Sequence, residues 1–239
     1  MKLVIPMAGR GQRFLDAGIT TPKMLINVRG KLIVEWAIQG LSFIPKRDTI
    51  FVILKEHDEN FGISGVLREK FGNDVKVCTI PAVTGGQACT VAEARHLYLP
   101  DEPLVIFNSD TYFRSPSLEA SLACLGESCD GVIGVFPSKS PAYSYVRFSK
   151  PGSVAEVVEK RVISDWATSG LYSFARASDF LSALSESVQK NEKSFGEHYI
   201  GPLYNTLISN GAKIRADFAA NVFDLGNPNK ITEFDLGTD

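Results

Sequence analysis

Two kinds of residue in this chain are spaced to handle phosphate. A short apolar run, Leu3-Val4-Ile5, reads as a buried strand that empties into Ala8-Gly9-Arg10-Gly11-Gln12-Arg13. A strand feeding a glycine loop brings backbone N–H groups together without side chains between them, which suits an anionic phosphate chain. Arg10, Arg13 and, after Pro22, Lys23 add fixed positive charge near the same place. Ala8, Gly9, Arg10 and Gly11 are therefore the candidate phosphate cradle. The second kind is a carboxylate. Asp110 follows the buried-strand pattern Leu104-Val105-Ile106-Phe107 and the pair Asn108-Ser109. A carboxylate at a strand end beside a phosphate loop is a ready Mg²⁺ ligand, because Mg²⁺ takes one or two carboxylates plus phosphate oxygens and water. Asn108-Ser109-Asp110-Thr111 is also good turn chemistry.

Other phosphate motifs are excluded. A dinucleotide fingerprint needs a third glycine where Phe14 stands, and no Gly-Lys-Ser/Thr follows for a Walker loop. His57, His96 and His198 are scattered and form no nucleophile–base constellation, so a hydrolase has no support. Cys78, Cys89, Cys124 and Cys129 contain no C-x-x-C pair and read as buried free thiols of a reducing compartment.

The elements that must position these residues alternate. Helices are expected over Lys31–Phe43, Gly65–Phe71 and Ala88–Leu99, and strands over Thr49–Leu54, Val75–Ile80 and Leu104–Phe107. This β-α-β-α-β order predicts an α/β fold with a mostly parallel, Rossmann-like sheet flanked by helices, whose ligands lie beyond the strands' carboxyl ends. Gly9 to Arg13 and Asp110 both fall at such ends. The second half changes character. Short strands at Gly131–Phe136, Tyr145–Phe148, Val154–Val158 and Gly170–Phe174 suggest an antiparallel or mixed section. A helix over Ser178–Gln189 would bury Phe180, Leu181, Leu184 and Val188. A further helix spans about Pro202–Asn210, and strands at Ile214–Phe218 and Asn221–Asp224 follow.

The chain of 239 residues, 44% hydrophobic, is read as one domain. About 1–125 would hold nucleotide and about 126–239 would build the acceptor pocket. The net charge of −2 gives no basic excess for a nucleic-acid partner. No stretch approaches the ~20 apolar residues of a membrane span, and the apolar run at the start breaks at Pro6. A cytoplasmic protein is the expectation, with a homo-oligomer left open. No appended repeat domain is expected after Asp239, which disfavours a bifunctional acetyltransferase.

Gly-x-Gly-x-Arg followed by Pro22-Lys23 resembles the sugar-phosphate nucleotidyltransferases, the pyrophosphorylases that join an NTP to a phosphorylated sugar. The resemblance runs from Val4 to Asn227 with motifs in the family's order, and is similar to glucose-1-phosphate thymidylyltransferases in Glu159-Lys160 and Ser164–Tyr172. It implies the nucleotide-diphospho-sugar transferase fold and Mg²⁺ as cofactor. It implies that Arg13 and Lys23 contact the triphosphate and that Gly86 and Gln87, in Thr84-Gly85-Gly86-Gln87, meet the base. Lys160 would hold the acceptor phosphate and Glu159 sugar hydroxyls, with Asn108, Tyr145, Trp166 and Gly170 completing the acceptor pocket. Asp224, in Phe223-Asp224-Leu225-Gly226, would be the second metal ligand beside Asp110. Three positions depart from the family: Ser109 and Ser144 stand for glycine, and Asn227 for threonine. With Ser144 and Tyr145 at the sugar pocket, aromatic faces including Trp166 could instead receive a cationic headgroup such as choline.

The implied reaction is attack of an acceptor phosphate on the NTP α-phosphorus with release of pyrophosphate. The alternative acceptor is a non-sugar phosphate such as phosphocholine or a polyol phosphate, used by a cytidylyltransferase. Two other classes are a nucleotide-sugar glycosyltransferase, which would show Asp-x-Asp where Asn108-Ser109-Asp110 has one carboxylate, and a non-catalytic nucleotide-binding protein, which could lose Asp110 or Asp224.

Overall fold

In the computed structural model, which describes residues 1–235, the apolar runs become the core strands of one sheet. The remaining residues, 236–239, end the acceptor half expected from the sequence and lie outside the described part. In chain order the first half contains β1 (Lys2–Met7), α1 (Gln12–Asp16), β2 (Asn27–Val28), β3 (Lys31–Leu32), α2 (Ile33–Gln39), β4 (Thr49–Leu54), α3 (Lys55–Phe61), α4 (Ile63–Phe71), β5 (Lys76–Ile80), α5 (Gln87–Glu93), β6 (Leu104–Phe107), β7 (Thr111–Arg114) and α6 (Leu118–Ala123). The second half contains β8 (Gly131–Pro137), β9 (Tyr145–Lys150), β10 (Ser153–Val158), β11 (Trp166–Phe174), α7 (Ala177–Gln189), α8 (Leu203–Ser209), β12 (Ile214–Phe218), β13 (Asn221–Asp224) and α9 (Pro228–Asp235).

The main sheet has the order β5-β4-β1-β6-β11-β8-β12-β10-β9. β5, β4, β1 and β6 are mutually parallel. All six residues of β4 and all four of β6 are buried, which is why they read as unbroken apolar runs. β11 enters antiparallel to both β6 and β8 and joins the two halves through one hydrogen-bonded sheet. Thereafter β12 pairs β8 in parallel, and β10 and β9 close the edge antiparallel. One large cluster packs on each face of this sheet, around Ile106, Phe174 and Phe180 on one side and Phe51, Phe107 and Phe113 on the other.

Several boundaries differ from the sequence expectation. The helix expected from Lys31 begins at Ile33, because Lys31 and Leu32 pair with Asn27 and Val28 as a small hairpin. The helix expected over Ala88–Leu99 ends at Glu93 and is followed by a single 3-10 turn. In α7 Val188 is half-exposed, and Ser187 takes the inward position. Its hydroxyl donates to the Glu192 carbonyl and meets His198 Nδ1 at 3.0 Å, so a polar residue is satisfied where an apolar one was expected. Further elements had not been anticipated, among them α3, which buries none of its residues, the four-residue β7 and the short α6. β7 matters most, because it pairs antiparallel with β13 in a separate ribbon beside the main sheet. Among the described residues no helix is long and apolar enough to cross a membrane.

Candidate active site

The phosphate loop leaves the carboxyl end of β1, at the centre of the parallel strands. Gly11 has φ +67°, a left-handed conformation that glycine adopts without strain, and it reverses the chain into α1. Ala8 and Gly9 floor a cleft of about 320 Å³ whose walls include Lys23, Gly86, Gln87, Asn108, Asp110 and Tyr199. Arg13 lines a smaller adjoining cleft of about 160 Å³, together with Asn108, Asp110, Tyr143, Asp224 and Gly226. Arg10 turns outward and pairs with Glu56 at 3.3 Å, both side chains being exposed.

The junction of the two clefts is built by the ribbon of β7 and β13. Their register sets Asp224 opposite Thr111, the residue after Asp110, and the Leu225 N–H donates to the Asp110 carbonyl at 2.8 Å. Two carboxylates 114 positions apart in sequence therefore meet. Gly226 makes the meeting possible: a Cβ there would lie 2.5 Å from Asp110 Oδ2 and 3.1 Å from Asp224 Oδ1. Each carboxylate already faces a cation. Lys23 Nζ donates to Asp110 Oδ2 at 2.5 Å, and Lys230 Nζ donates to Asp224 Oδ2 at 3.0 Å and to the Tyr143 hydroxyl at 2.7 Å. The donor set is two carboxylates open to a cleft, and among the described residues no three His, Cys, Asp or Glu side chains converge. That set fits a hard divalent cation that completes its shell with water and substrate oxygens, and does not fit a closed all-protein cage.

The turn before α5 is held from behind. The His198 N–H donates to the Gly85 carbonyl at 2.9 Å, and the Ala88 N–H donates to the His198 carbonyl at 3.0 Å. Gly86 has φ +138°, and a Cβ there would come within 2.5 Å of the His198 backbone nitrogen. Gln87 Nε2 donates to Asn108 Oδ1 at 2.6 Å. Asn108 is seated against Gly170, where φ is +83° and a Cβ would lie 2.3 Å from Asn108 Nδ2. Gly170 thus supports Asn108, and Asn108 links the turn to β11.

In the acceptor half Glu159 is buried and accepts a hydrogen bond from the Ser144 hydroxyl. Burial pushes its carboxyl above the ordinary value, opposed by the Ser144 hydrogen bond and the neighbouring Lys160 charge. Lys160 has φ +49°, and its Nζ donates to the Tyr199 hydroxyl at 2.6 Å while lying 4.7 and 4.9 Å from the ring centroids of Tyr199 and Phe195. His198 and Tyr199 are consecutive, so one segment braces both the turn at Gly86 and the ammonium of Lys160.

Two expected acceptor residues are packed away from the clefts. Tyr145 is fully buried, with its hydroxyl donating to the Ser140 carbonyl at 2.8 Å. Trp166 stands edge-on to Phe218 at 4.9 Å and tilted to Phe148 at 6.3 Å. The aromatic cage expected from these two side chains is not formed, because both rings serve packing. Lys230, Tyr199 and Ser169 were missed from the sequence. Ser169 lines the smaller cleft, and its buried Oγ has no hydrogen-bond partner among the described residues. The four cysteines are free thiols; Cys78 and Cys129 are buried, while Cys89 and Cys124 are only partly so.

The family model for nucleotidyl transferases matches residues 2–236. The chain belongs to that family. It is 24% identical over 174 residues to a bifunctional sugar-1-phosphate nucleotidylyltransferase/acetyltransferase of Sulfurisphaera tokodaii, covering 72% of this chain and 40% of that protein. The chain therefore spans well under half the length of this curated relative. A nucleoside-diphosphate-sugar pyrophosphorylase from Vibrio cholerae RC9 superposes with a TM-score of 0.85 at 28% identity, covering 98% of this chain and 99% of the other. An inositol-1-phosphate CTP transferase from T. maritima shares the fold, with a TM-score of 0.75 at 14% identity over 100% of this chain and 97% of that one. The fold expected from the sequence, a nucleotide-diphospho-sugar transferase sheet flanked by helices, is the fold observed.

Proposed function

We propose that this nucleotidyltransferase joins NMP from an NTP to the phosphate of a sugar-1-phosphate and releases pyrophosphate. The observation that carries the reading is the convergence of Asp110 and Asp224 at Gly226, between the phosphate loop and the acceptor half. An oxygen of the acceptor phosphate attacks the α-phosphorus as the bond from that phosphorus to the β-phosphate oxygen breaks. A new phosphoanhydride forms, and the electron pair leaves on pyrophosphate. Ala8, Gly9 and Gly11 receive the triphosphate, Gly86 and Gln87 face the base, and Arg13 and Lys23 offset charge on the leaving pyrophosphate. Lys160 holds the acceptor phosphate, and Glu159 receives its hydroxyls with Asn108 and Gly170 shaping the wall. Asp110 and Asp224 would hold Mg²⁺, which would neutralise phosphate charge as the two substrates approach. Catalysis is then positioning plus electrostatics, with no covalent enzyme intermediate.

A second acceptor class is favoured by one feature. Ser144 already donates to buried Glu159, so that carboxylate is partly committed before any sugar hydroxyl arrives. A cytidylyltransferase acting on a non-sugar phosphate would leave that pair intact. The test is pyrophosphate release from each common NTP against sugar-1-phosphates, phosphocholine and polyol phosphates. Release with a sugar-1-phosphate supports the first reading, and release with a non-sugar phosphate alone supports the second. Release with no pair overturns both.

A further inference from the structure

The two junction carboxylates are closed by different lysines with different prospects. Lys23 has a second task in the reaction above, because the nucleotide phosphates lie on its side of the cleft. Lys230 has none. It belongs to the first turn of α9, six residues after Asp224, and bridges Asp224 Oδ2 and the Tyr143 hydroxyl. Its ammonium also lies 5.0 Å from the centroid of the Tyr143 ring. The Lys230 side chain is 35% exposed and that of Asp224 18%, so the ammonium enters from the rim and the carboxylate sits deeper.

We propose that Lys230 is a displaceable counter-ion of Asp224, which neutralises the carboxylate until a divalent cation takes its place. The inference rests on reading Asp110 and Asp224 as the metal-holding pair. Two carboxylates meeting at one glycine repel each other, and an ammonium on each removes most of that repulsion. A divalent cation does the same work for both at once, so it and Lys230 compete for the same oxygen charge. Whatever the Lys230–Asp224 pair contributes is lost when metal binds and is subtracted from the apparent metal affinity. Tyr143 gives the released ammonium a place to stay, through its hydroxyl and its ring face. The metal thus enters a site that is preformed and electrically balanced, and the junction does not have to hold two bare carboxylates between turnovers.

The experiment uses Mn²⁺ alone as the probe, with free Mn²⁺ read by electron paramagnetic resonance for the whole protein. Lys230→Met is expected to bind Mn²⁺ about fivefold more tightly than the parent, the scale of a part-exposed ion pair. It is also expected to melt lower in chelator and to gain more thermal stability from Mn²⁺. In the unsubstituted protein, amine-reactive footprinting read by mass spectrometry should show Lys230 becoming more reactive when Mn²⁺ is added. Equal or weaker Mn²⁺ binding by Lys230→Met, or unchanged Lys230 reactivity, would overturn the proposal. Asp224→Asn separates the two levels of argument. It should lose Mn²⁺ binding, and retention of full binding there means that the metal reading itself has failed.

Discussion

Under the proposed function, the half that would hold nucleotide and the half that would hold acceptor are built by different means. On the nucleotide side backbone conformation sets the shape of the cleft, and the pairs Gln87–Asn108 and Lys23–Asp110 close its wall. β1 and β6 end at the cleft that Gly86 lines, and both Gly11 and Gly86 take conformations with positive φ. On the acceptor side the work falls to side chains held by other side chains: Glu159 by Ser144, Lys160 by Tyr199, and Asp224 by Lys230. A site made of backbone accepts any NTP phosphate chain and resists change, because altering it means moving strands. A site made of paired side chains can be retuned by one substitution.

The comparison can be broken most forcefully at the junction both halves share. Asp110→Ala should lower Mg²⁺-dependent pyrophosphate release by at least about a hundredfold with the fold intact by circular dichroism. Near-normal turnover would remove Asp110 from the metal site. Gly86→Ala tests the backbone side. The new methyl meets the His198 backbone, where neither partner can yield, so a loss of about 2–4 kcal/mol in denaturant stability is expected, with a raised KM for NTP. An alanine variant with parental stability would show that the turn is less constrained than its contacts imply. On the acceptor side Lys160→Ala should raise the acceptor KM about tenfold and leave the NTP KM within about twofold. Equal changes in both constants would blur the division between halves.

The smallest effect is the pH dependence of stability at Glu159. Burial raises this carboxyl above its ordinary 4.5, so its protonated form favours the folded state. That contribution is complete below the unfolded value of 4.5 and is lost as pH rises through the higher folded-state value. Glu159→Gln has no proton to lose. Its thermal midpoint should therefore improve relative to the parent as pH rises above 4.5. A gap that does not change with pH would mean that the carboxyl titrates as it does in water.

The same contrast explains what could be read from the sequence. β4 and β6 were legible because a strand buried on both faces is an unbroken apolar run, and Asp110 was legible because it ends one. Gly11 was legible because a glycine in a strand-to-helix loop has few other purposes. The acceptor side resisted because its partnerships are non-local. Nothing near Lys160 announces Tyr199, and nothing near Asp224 says that Lys230 turns back onto it from α9. α3 was hidden because it buries no residue and so carries no apolar stripe. Trp166 was misjudged because a large aromatic near a motif looks like a ligand contact, yet it shares a core cluster with Tyr172 and Phe174 on its own strand. Asp224 and Glu159 were named as candidates through family resemblance, and neither stands out by spacing alone.

The central claim is that an acceptor phosphate oxygen becomes the bridge to the nucleotide. With the NTP and acceptor found by pyrophosphate release, the acceptor phosphate can be labelled with oxygen-18 and the products read by phosphorus NMR. The account predicts a labelled oxygen bridging the two phosphorus atoms of the nucleotide product and no label in pyrophosphate. An unlabelled bridge, or label carried into pyrophosphate, would contradict it.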